Sequence, residues 1–197
     1  MKWIVFDYGE VISTRTQAIP ALAETMGVET SVFESHYWAH RDPYDRGISD
    51  FKYWKSIADA AGVSLDQSTS DRLTSMDIEG WLNTDPGTVE MLGALEEAGA
   101  ALALLSNAPS SFARVAERQD WAKHFRVTVF SGDLGYAKPD PEIFATLVAK
   151  LGATEPSTSA ADCLFLDDRQ VNVDGALAAG LRSQRWLGAE QTPLGEL

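Results

Sequence analysis

A single cysteine, Cys163, occurs in the 197 residues. One thiol excludes any disulfide within the chain, and the Cys/His spacings that bind zinc are absent. This usage fits a reducing cytosol, so a cytoplasmic protein is the expectation. Positive charge is also scarce, with 16 Lys and Arg against 29 Asp and Glu and a net charge of −13. Such a surface repels phosphate backbones, so nucleic acid is not an expected partner. Any site for an anionic substrate must create its own local positive potential. No apolar run approaches the roughly 20 residues of a membrane-spanning helix. The first residues enter a strand without the layout of a signal peptide, and no membrane partner is expected. Internal repeats, low-complexity segments and long charge runs are missing as well. An apolar content of 45% places the chain among soluble globular sequences, with the length of one core domain plus an insertion.

What is present is organised around residues 3–12. Trp3 to Phe6 is a continuous apolar run of strand formers, which reads as a buried parallel strand. It ends in Asp7. A carboxylate at the carboxyl end of a buried strand sits where open α/β sheets bind ligands. Gly9 permits a tight turn that brings main chain close to a ligand. Asp and Gly are also ordinary turn residues, so this stretch alone fits a strand stop equally well.

Residues 14–83 contain no convincing buried strand and read as helices: Ala18–Met26 stopped by Gly27, Ser31 to about His40, a helix opened by the N-cap Ser49 and closed by Gly62, and Ser64–Met76. An all-helical block after the first strand predicts a small cap domain at 14–83, inserted into a core of residues 1–13 and 84–197. From Asp85 helices and strands alternate. Helices are expected at Pro86–Ala98, Pro109–Arg118, Pro141–Leu151 and Val171–Ala179. Strands are expected at Ala101–Leu105, Val127–Phe130, Cys163–Leu166 and Arg182–Trp186, with surface coil after Gly188. The expected fold class is α/β: a Rossmann-like parallel sheet with helices on both faces, plus the helical insertion.

Strand carboxyl ends in a parallel sheet share one edge, so Asp7, Ser106-Asn107 and Asp167-Asp168 should meet there. Lys138 follows the strand at 127–130. Taken singly, each has a plain reading: a solvated lysine, a helix cap, a turn. Together they place three acids at one edge, which repel unless a divalent cation neutralises them, and all-oxygen ligation by few carboxylates suits magnesium. Asp7 is then a candidate nucleophile. Magnesium would bridge Asp7, the Gly9 carbonyl, Asp168 and a phosphate oxygen. Ser106 and neighbouring backbone N–H groups at Asn107 would hold phosphate, and Lys138 would offset charge on carboxylate and phosphoryl group.

Four segments carry a resemblance: Phe-Asp-Tyr-Gly-Glu-Val at 6–11, Leu-Leu-Ser-Asn at 104–107, Lys-Pro-Asp-Pro-Glu-Ile-Phe at 138–144 and Phe-Leu-Asp-Asp-Arg-Gln-Val-Asn-Val at 165–173. In order and spacing the chain resembles the haloacid dehalogenase-like hydrolases, in the branch with a small helical cap. The resemblance implies Asp7 as nucleophile, Ser106 and Lys138 on phosphate, and Asp168 on magnesium. It implies that Asp167 supports the metal site from behind, with Asn172 where many relatives carry a further acid. It also implies a cis Lys138-Pro139 bond. One departure stands out: relatives of this type usually carry a second Asp, the general acid/base, where this chain has Gly9. Some sugar-phosphate phosphatases resemble this Asp-x-Gly-x-Val form.

The implied function is a magnesium-dependent phosphatase acting on a small phosphorylated metabolite, a sugar phosphate or similar, through an aspartyl-phosphate. Two rivals stay open. A dehalogenase would use the same nucleophile without metal, which the Asp167-Asp168 pair argues against. A non-catalytic binding protein has Gly9 as its one hint. In the cap, Tyr37, Trp38, His40, Arg41, Tyr44, Asp45 and Arg46 cluster in sequence. They read either as a lid that recognises the leaving group or as core aromatics with solvated charges. His40, Arg41 and Glu10 are the specificity candidates.

Overall fold

Four short strands flank or follow a first strand at the centre of one sheet. The computed structural model describes residues 3–190. The strands are β1 Trp3–Phe6, β2 Ala101–Ser106, β3 Val127–Phe130, β4 Cys163–Asp167 and β5 Arg182–Arg185. All pair in parallel, in the order β3-β2-β1-β4-β5, which puts β1 in the middle. Its four residues are buried because helices cover both faces. Alternate residues divide between those faces. Ile4, Phe6, Leu104 and Leu166 pack with Phe112, Trp121 and Phe125 on one side. Trp3, Val5, Leu105 and Phe165 pack with Ile143, Phe144 and Leu147 on the other.

The helices are α1 Ile19–Met26, α2 Thr30–Ala39, α3 Arg41–Asp45, α4 Asp50–Ala61, α5 Gln67–Trp81, α6 Pro86–Glu97, α7 Ser110–Ala116, α8 Pro141–Thr154 and α9 Gln170–Ala178. Helices α1 to α5 gather around their own aromatic cluster of Phe33, Tyr37, Tyr53 and Trp54 with Leu22 and Leu73. The chain leaves for this bundle and returns from it side by side. Ser13 and Thr84 form an isolated antiparallel bridge, Thr14 N–H donates to Asn83 O at 2.8 Å, and Asp85 N–H donates to Ile12 O at 2.8 Å.

Most expected elements are found within a few residues, and the departures have local causes. The helix expected at Ser64–Met76 begins instead after Asp66, whose carboxylate caps Thr69 N–H at 2.7 Å. It runs on to Trp81, because Leu73, Ile78 and Trp81 continue its inward face. Gly152 does not end α8, which reaches Thr154, since nothing there demands a left-handed residue. The short helix α3 and the 3-10 turns at Asp120–His124, Ser131–Asp133 and Ala160–Asp162 were not anticipated. Of the coil expected after Gly188, residues 191–197 lie outside the described residues.

Register places the site. Phe6 is level with Leu104 and with Leu166. The next residues, Asp7, Leu105 and Asp167, therefore arrive together at the carboxyl edge of the three central strands. Asp7 N–H donates to Leu166 O at 2.9 Å, which fixes that arrival.

Candidate active site

The residues beyond these strand ends converge on one ammonium group. Lys138 Nζ donates to Asp7 Oδ1 at 2.6 Å, to Asp167 Oδ2 at 2.7 Å and to the Leu105 carbonyl at 2.8 Å. A lysine has three donors, and here all three are used. The side chain is 1% exposed, so this is a buried ion cluster rather than a solvated loop charge. The Lys138-Pro139 bond is cis. Asn107 clamps the backbone of the same residue: Lys138 N–H donates to Asn107 Oδ1 at 2.8 Å, and Asn107 Nδ2 donates to Lys138 O at 2.9 Å. The Asn107 side chain is thus engaged with the lysine loop, and what it can offer a phosphate is its backbone.

Asp167 is the most heavily bonded acid. Its carboxylate accepts from Lys138, from Arg169 N–H at 2.9 Å, and from Asn172 Nδ2 at 3.0 Å on both oxygens. Asn172 Oδ1 is buried without a partner. Oxygens of Asp7, Asp167 and Asp168 lie within 4.8 Å of one another. Burial and the neighbouring Asp167 push the Asp7 carboxyl up to about 7 even against the pull of Lys138. Burial, Asp167 and Glu10 push Asp168 up to about 6. Burial opposes the charge on Lys138, but the two carboxylates outweigh it and hold it protonated. Three carboxylates facing one ammonium leave a surplus of negative charge that a divalent cation would balance, so the donor set fits a hard metal ion.

Gly9 and Glu10 make the turn after Asp7. A Cβ on Gly9 would meet only Trp81 Cζ3, at 3.9 Å, and its φ lies outside the left-handed region. Glu10 is the residue that takes the left-handed conformation, with φ 55. That is uncommon for a residue with a side chain. Its N–H donates to Ser13 Oγ at 3.3 Å.

A cavity of about 740 Å³ opens above these groups. The sheet edge contributes Asp7, Gly9, Glu10, Ser106, Asn107, Lys138, Asp168 and Asn172 to its wall. The helical bundle contributes Arg15, Trp38, Arg41, Asp42, Asp45, Arg46 and Trp81. His40 is not part of this wall; its ring lies 6.2 Å from that of His36. Arg41 is in the wall but is already paired with carboxylates of the bundle. Its Nε donates to Asp45 Oδ1 at 2.9 Å, and its Nη1 donates to Tyr37 Oη at 2.7 Å and to Asp77 Oδ2 at 3.2 Å. The rings of Tyr37, Tyr44, Tyr53 and Trp81 surround it at 5.3–6.0 Å. One guanidinium cannot neutralise two buried carboxylates, and burial pushes both Asp77 and Asp45 up, Asp45 to about 6.

Sequence reading missed Arg15, Asp77 and Trp81. Trp81 was within reach, since the apolar spacing of α5 continues to it. Asp77 was not, because its partner lies 36 residues away.

The class of protein to which this sheet order and these strand-end acids belong comes from comparison with known proteins. Residues 1–180 match the haloacid dehalogenase-like hydrolases, and the chain belongs to that family. Among curated relatives, phosphoglycolate phosphatase of Salmonella paratyphi A is 34% identical over 99 residues, which is 50% of this chain and 37% of the relative. The Escherichia coli K12 phosphoglycolate phosphatase is 31% identical over 99 residues, with the same 50% and 37% shares. The match thus spans little more than a third of those relatives' length. Among solved structures, a HAD family enzyme from Bacteroides thetaiotaomicron superposes with a TM-score of 0.73 at 18% identity, covering 94% of this chain and 93% of its own. The L-2-haloacid dehalogenase from Xanthobacter autotrophicus, with chloropropionic acid covalently bound, gives 0.72 at 18% identity, covering 94% and 77%. These likenesses establish the fold alone.

Proposed function

We propose that the protein is a magnesium-dependent phosphatase of a small phosphorylated metabolite, with a sugar phosphate as the substrate type. The observation that carries this reading is the Lys138 ammonium bridging Asp7 and Asp167 at the sheet edge, with Asp168 beside them. In this reading Asp7, Asp168 and the Gly9 carbonyl hold magnesium. The ion supplies charge neutralisation for phosphate and carboxylates. Asp167, fully engaged by Lys138, Arg169 and Asn172, orients the others, and the buried, unpartnered Asn172 Oδ1 is free to accept from a water there.

Asp7 Oδ2, the oxygen not bonded to Lys138, attacks phosphorus. Ser106 and the Asn107 N–H bind the phosphoryl oxygens. Lys138 draws charge from carboxylate and phosphoryl group as the bond to the leaving oxygen breaks, and the aspartyl-phosphate is then hydrolysed. Residues 14–83 act as a cap over the substrate, hinged where Ser13 and Thr84 pair. In its wall the guanidinium of Arg41 is already neutralised by Asp45 and Asp77, and that of Arg46 lies between Asp42 and Asp140. That pairing, together with Trp38 and Trp81, suits a hydroxylated leaving group with an apolar face better than a second anion. The decisive assay is turnover of p-nitrophenyl phosphate with and without magnesium, together with trapping of phosphate on the protein. Metal-independent release of halide from a 2-haloacid, with no phosphatase activity, would favour the dehalogenase chemistry instead.

A further inference from the structure

The turn after Asp7 lacks the carboxyl that would protonate a leaving oxygen, because Gly9 stands there. Some other group must do so if the enzyme is to cleave ordinary alcohol esters. The acids of the cavity wall can be sorted by what already occupies them. Asp7 and Asp168 belong to the nucleophile and metal positions. Asp42 is exposed, and both of its oxygens accept from Arg46 Nε, at 3.0 and 3.1 Å. Glu10 is exposed at the rim. Tyr8 directs its hydroxyl away, to the Trp81 carbonyl at 2.6 Å. Asp45 remains.

Asp45 is the last residue of α3, and its side chain is 15% exposed. Oδ1 accepts from Arg41 Nε at 2.9 Å, and no described residue donates to Oδ2. Its backbone carbonyl accepts from Ser131 Oγ, just beyond β3. That bond ties the acid to the sheet edge from which the Lys138 loop departs, although Asp45 itself comes from the helical bundle. Resting on the phosphatase reading above, we infer that Asp45 is the proton-transfer residue of this enzyme, acting through Oδ2 from the helical side of the cavity.

The chemistry balances. The carboxyl of Asp45 gives its proton to the leaving oxygen as Asp7 bonds to phosphorus and the phosphorus–oxygen bond breaks. Arg41 then faces a carboxylate, its preferred partner. In the second step the attacking water passes a proton to Asp45, its oxygen bonds to phosphorus, and the aspartyl-phosphate bond returns its electrons to Asp7. The charged and titratable groups around Asp45 suit the role. Arg41 and Asp42 share its helix, and Tyr37, Tyr53 and Asp77 approach from α2, α4 and α5. Burial raises the carboxyl to about 6 while Arg41 opposes this, so both protonation states are accessible near neutrality.

The test is Asp45→Asn, assayed with magnesium on p-nitrophenyl phosphate and on simple alkyl phosphates. General acid catalysis is typically worth about 10²–10⁴-fold, so kcat/KM for alkyl phosphates should fall by at least about 10²-fold while the aryl ester loses less than about tenfold. Equal losses on both esters, or no loss on either, would overturn the assignment. If Asp45→Asn fails to fold, the wild type decides the matter. With a carboxyl donor, kcat/KM depends weakly on leaving-group basicity at acidic pH and steeply at alkaline pH. The same dependence at both would overturn the inference. A wild type inactive on every ester removes the phosphatase reading itself, which separates the two failures.

Discussion

Replacing Lys138 with Met removes one charge and keeps most of the volume. In the native protein that ammonium ends a side chain only 1% exposed and bridges Asp7 and Asp167, with Leu105 O as its third acceptor. Breaking a buried ion pair by deleting one partner costs about 3–5 kcal/mol, because the other charge stays buried without compensation. At a urea m-value of about 3 kcal/mol/M, that is a drop of about 1–2 M in the unfolding midpoint. The deficit should depend on pH, and its sign follows from Asp7. Burial holds that carboxyl at about 7, above its ordinary value of 3.8. Between those values the native state binds more protons than the unfolded state, so this group's contribution to stability falls as pH rises. Without Lys138 the folded-state value rises further. The loss should therefore be largest above about pH 7 and shrink toward about pH 5, where protonated carboxyls no longer need the cation. The measurement is urea unfolding of wild type and Lys138→Met with a chelator present, since an added divalent cation would stand in for the lost charge. A deficit below about 1 kcal/mol near pH 7.5, or one that does not change with pH, would refute the picture of a charge-held acid cluster.

Asp7→Asn should abolish turnover and phosphate trapping while the melting temperature holds or rises, since one buried negative charge is gone; retained activity would remove Asp7 as nucleophile. Gly9→Ala should fold with a stability change within about 0.5 kcal/mol, because the new Cβ meets only Trp81 at ordinary contact distance. Thermal melting checks this, and a large loss would mean that the turn cannot carry a side chain. Gly132→Ala should cost about 1–3 kcal/mol or more by overpacking, because its Cβ would lie 2.6 Å from Ser110 N and 2.8 Å from Ala108 O, both backbone atoms. An unchanged melting temperature would show that this loop yields. Asp77→Ala should destabilise by about 1–3 kcal/mol, because the buried Tyr37 hydroxyl loses its acceptor while Arg41 keeps Asp45 as its carboxylate partner. Chemical denaturation measures it, and a loss below about 1 kcal/mol would mean the cluster re-forms without it.

Strands β1 to β4 were legible because they are short, largely apolar and followed by abrupt polar residues, whereas β5, Arg-Ser-Gln-Arg, carries no such signal. Their shared edge follows from parallel pairing alone, which is why the sequence itself brings Asp7, Asp167 and Lys138 together. The helix cap at Ser49 was equally plain. What sequence could not show was burial of charge. Arg41 looks like one of several solvated residues in a charged stretch. Only the return of α5 past α2 and α3 delivers Asp77 and Trp81 to it and makes it interior. The reverse happened to His40, which sits in the same stretch and ends outside the cavity wall. Asn107 shows a third kind of limit. Its position at a strand end suggested anion binding, but whether its amide faces ligand or loop depends on where residue 138 comes to rest.

The helical bundle meets the sheet edge through a particular kind of seat. Gly47, with φ 96, brings its backbone so close to Gly132 that a Cβ there would lie 2.6 Å from the Gly132 carbonyl. Around that point the contacts are polar: Arg46 with Asp140, Ser131 with the Asp45 carbonyl, and Tyr44 with Asp50 and Ser111. Hydrogen bonds exchange with water at a net cost of only about 0.5–1.5 kcal/mol each, whereas greasy contacts resist wetting. Further along α5, Ile78 and Trp81 pack against the core beside the sheet, so the seat joins a polar rim to a greasy heel, and of its contacts the Arg46 bridge is the one that should weaken as ionic strength rises.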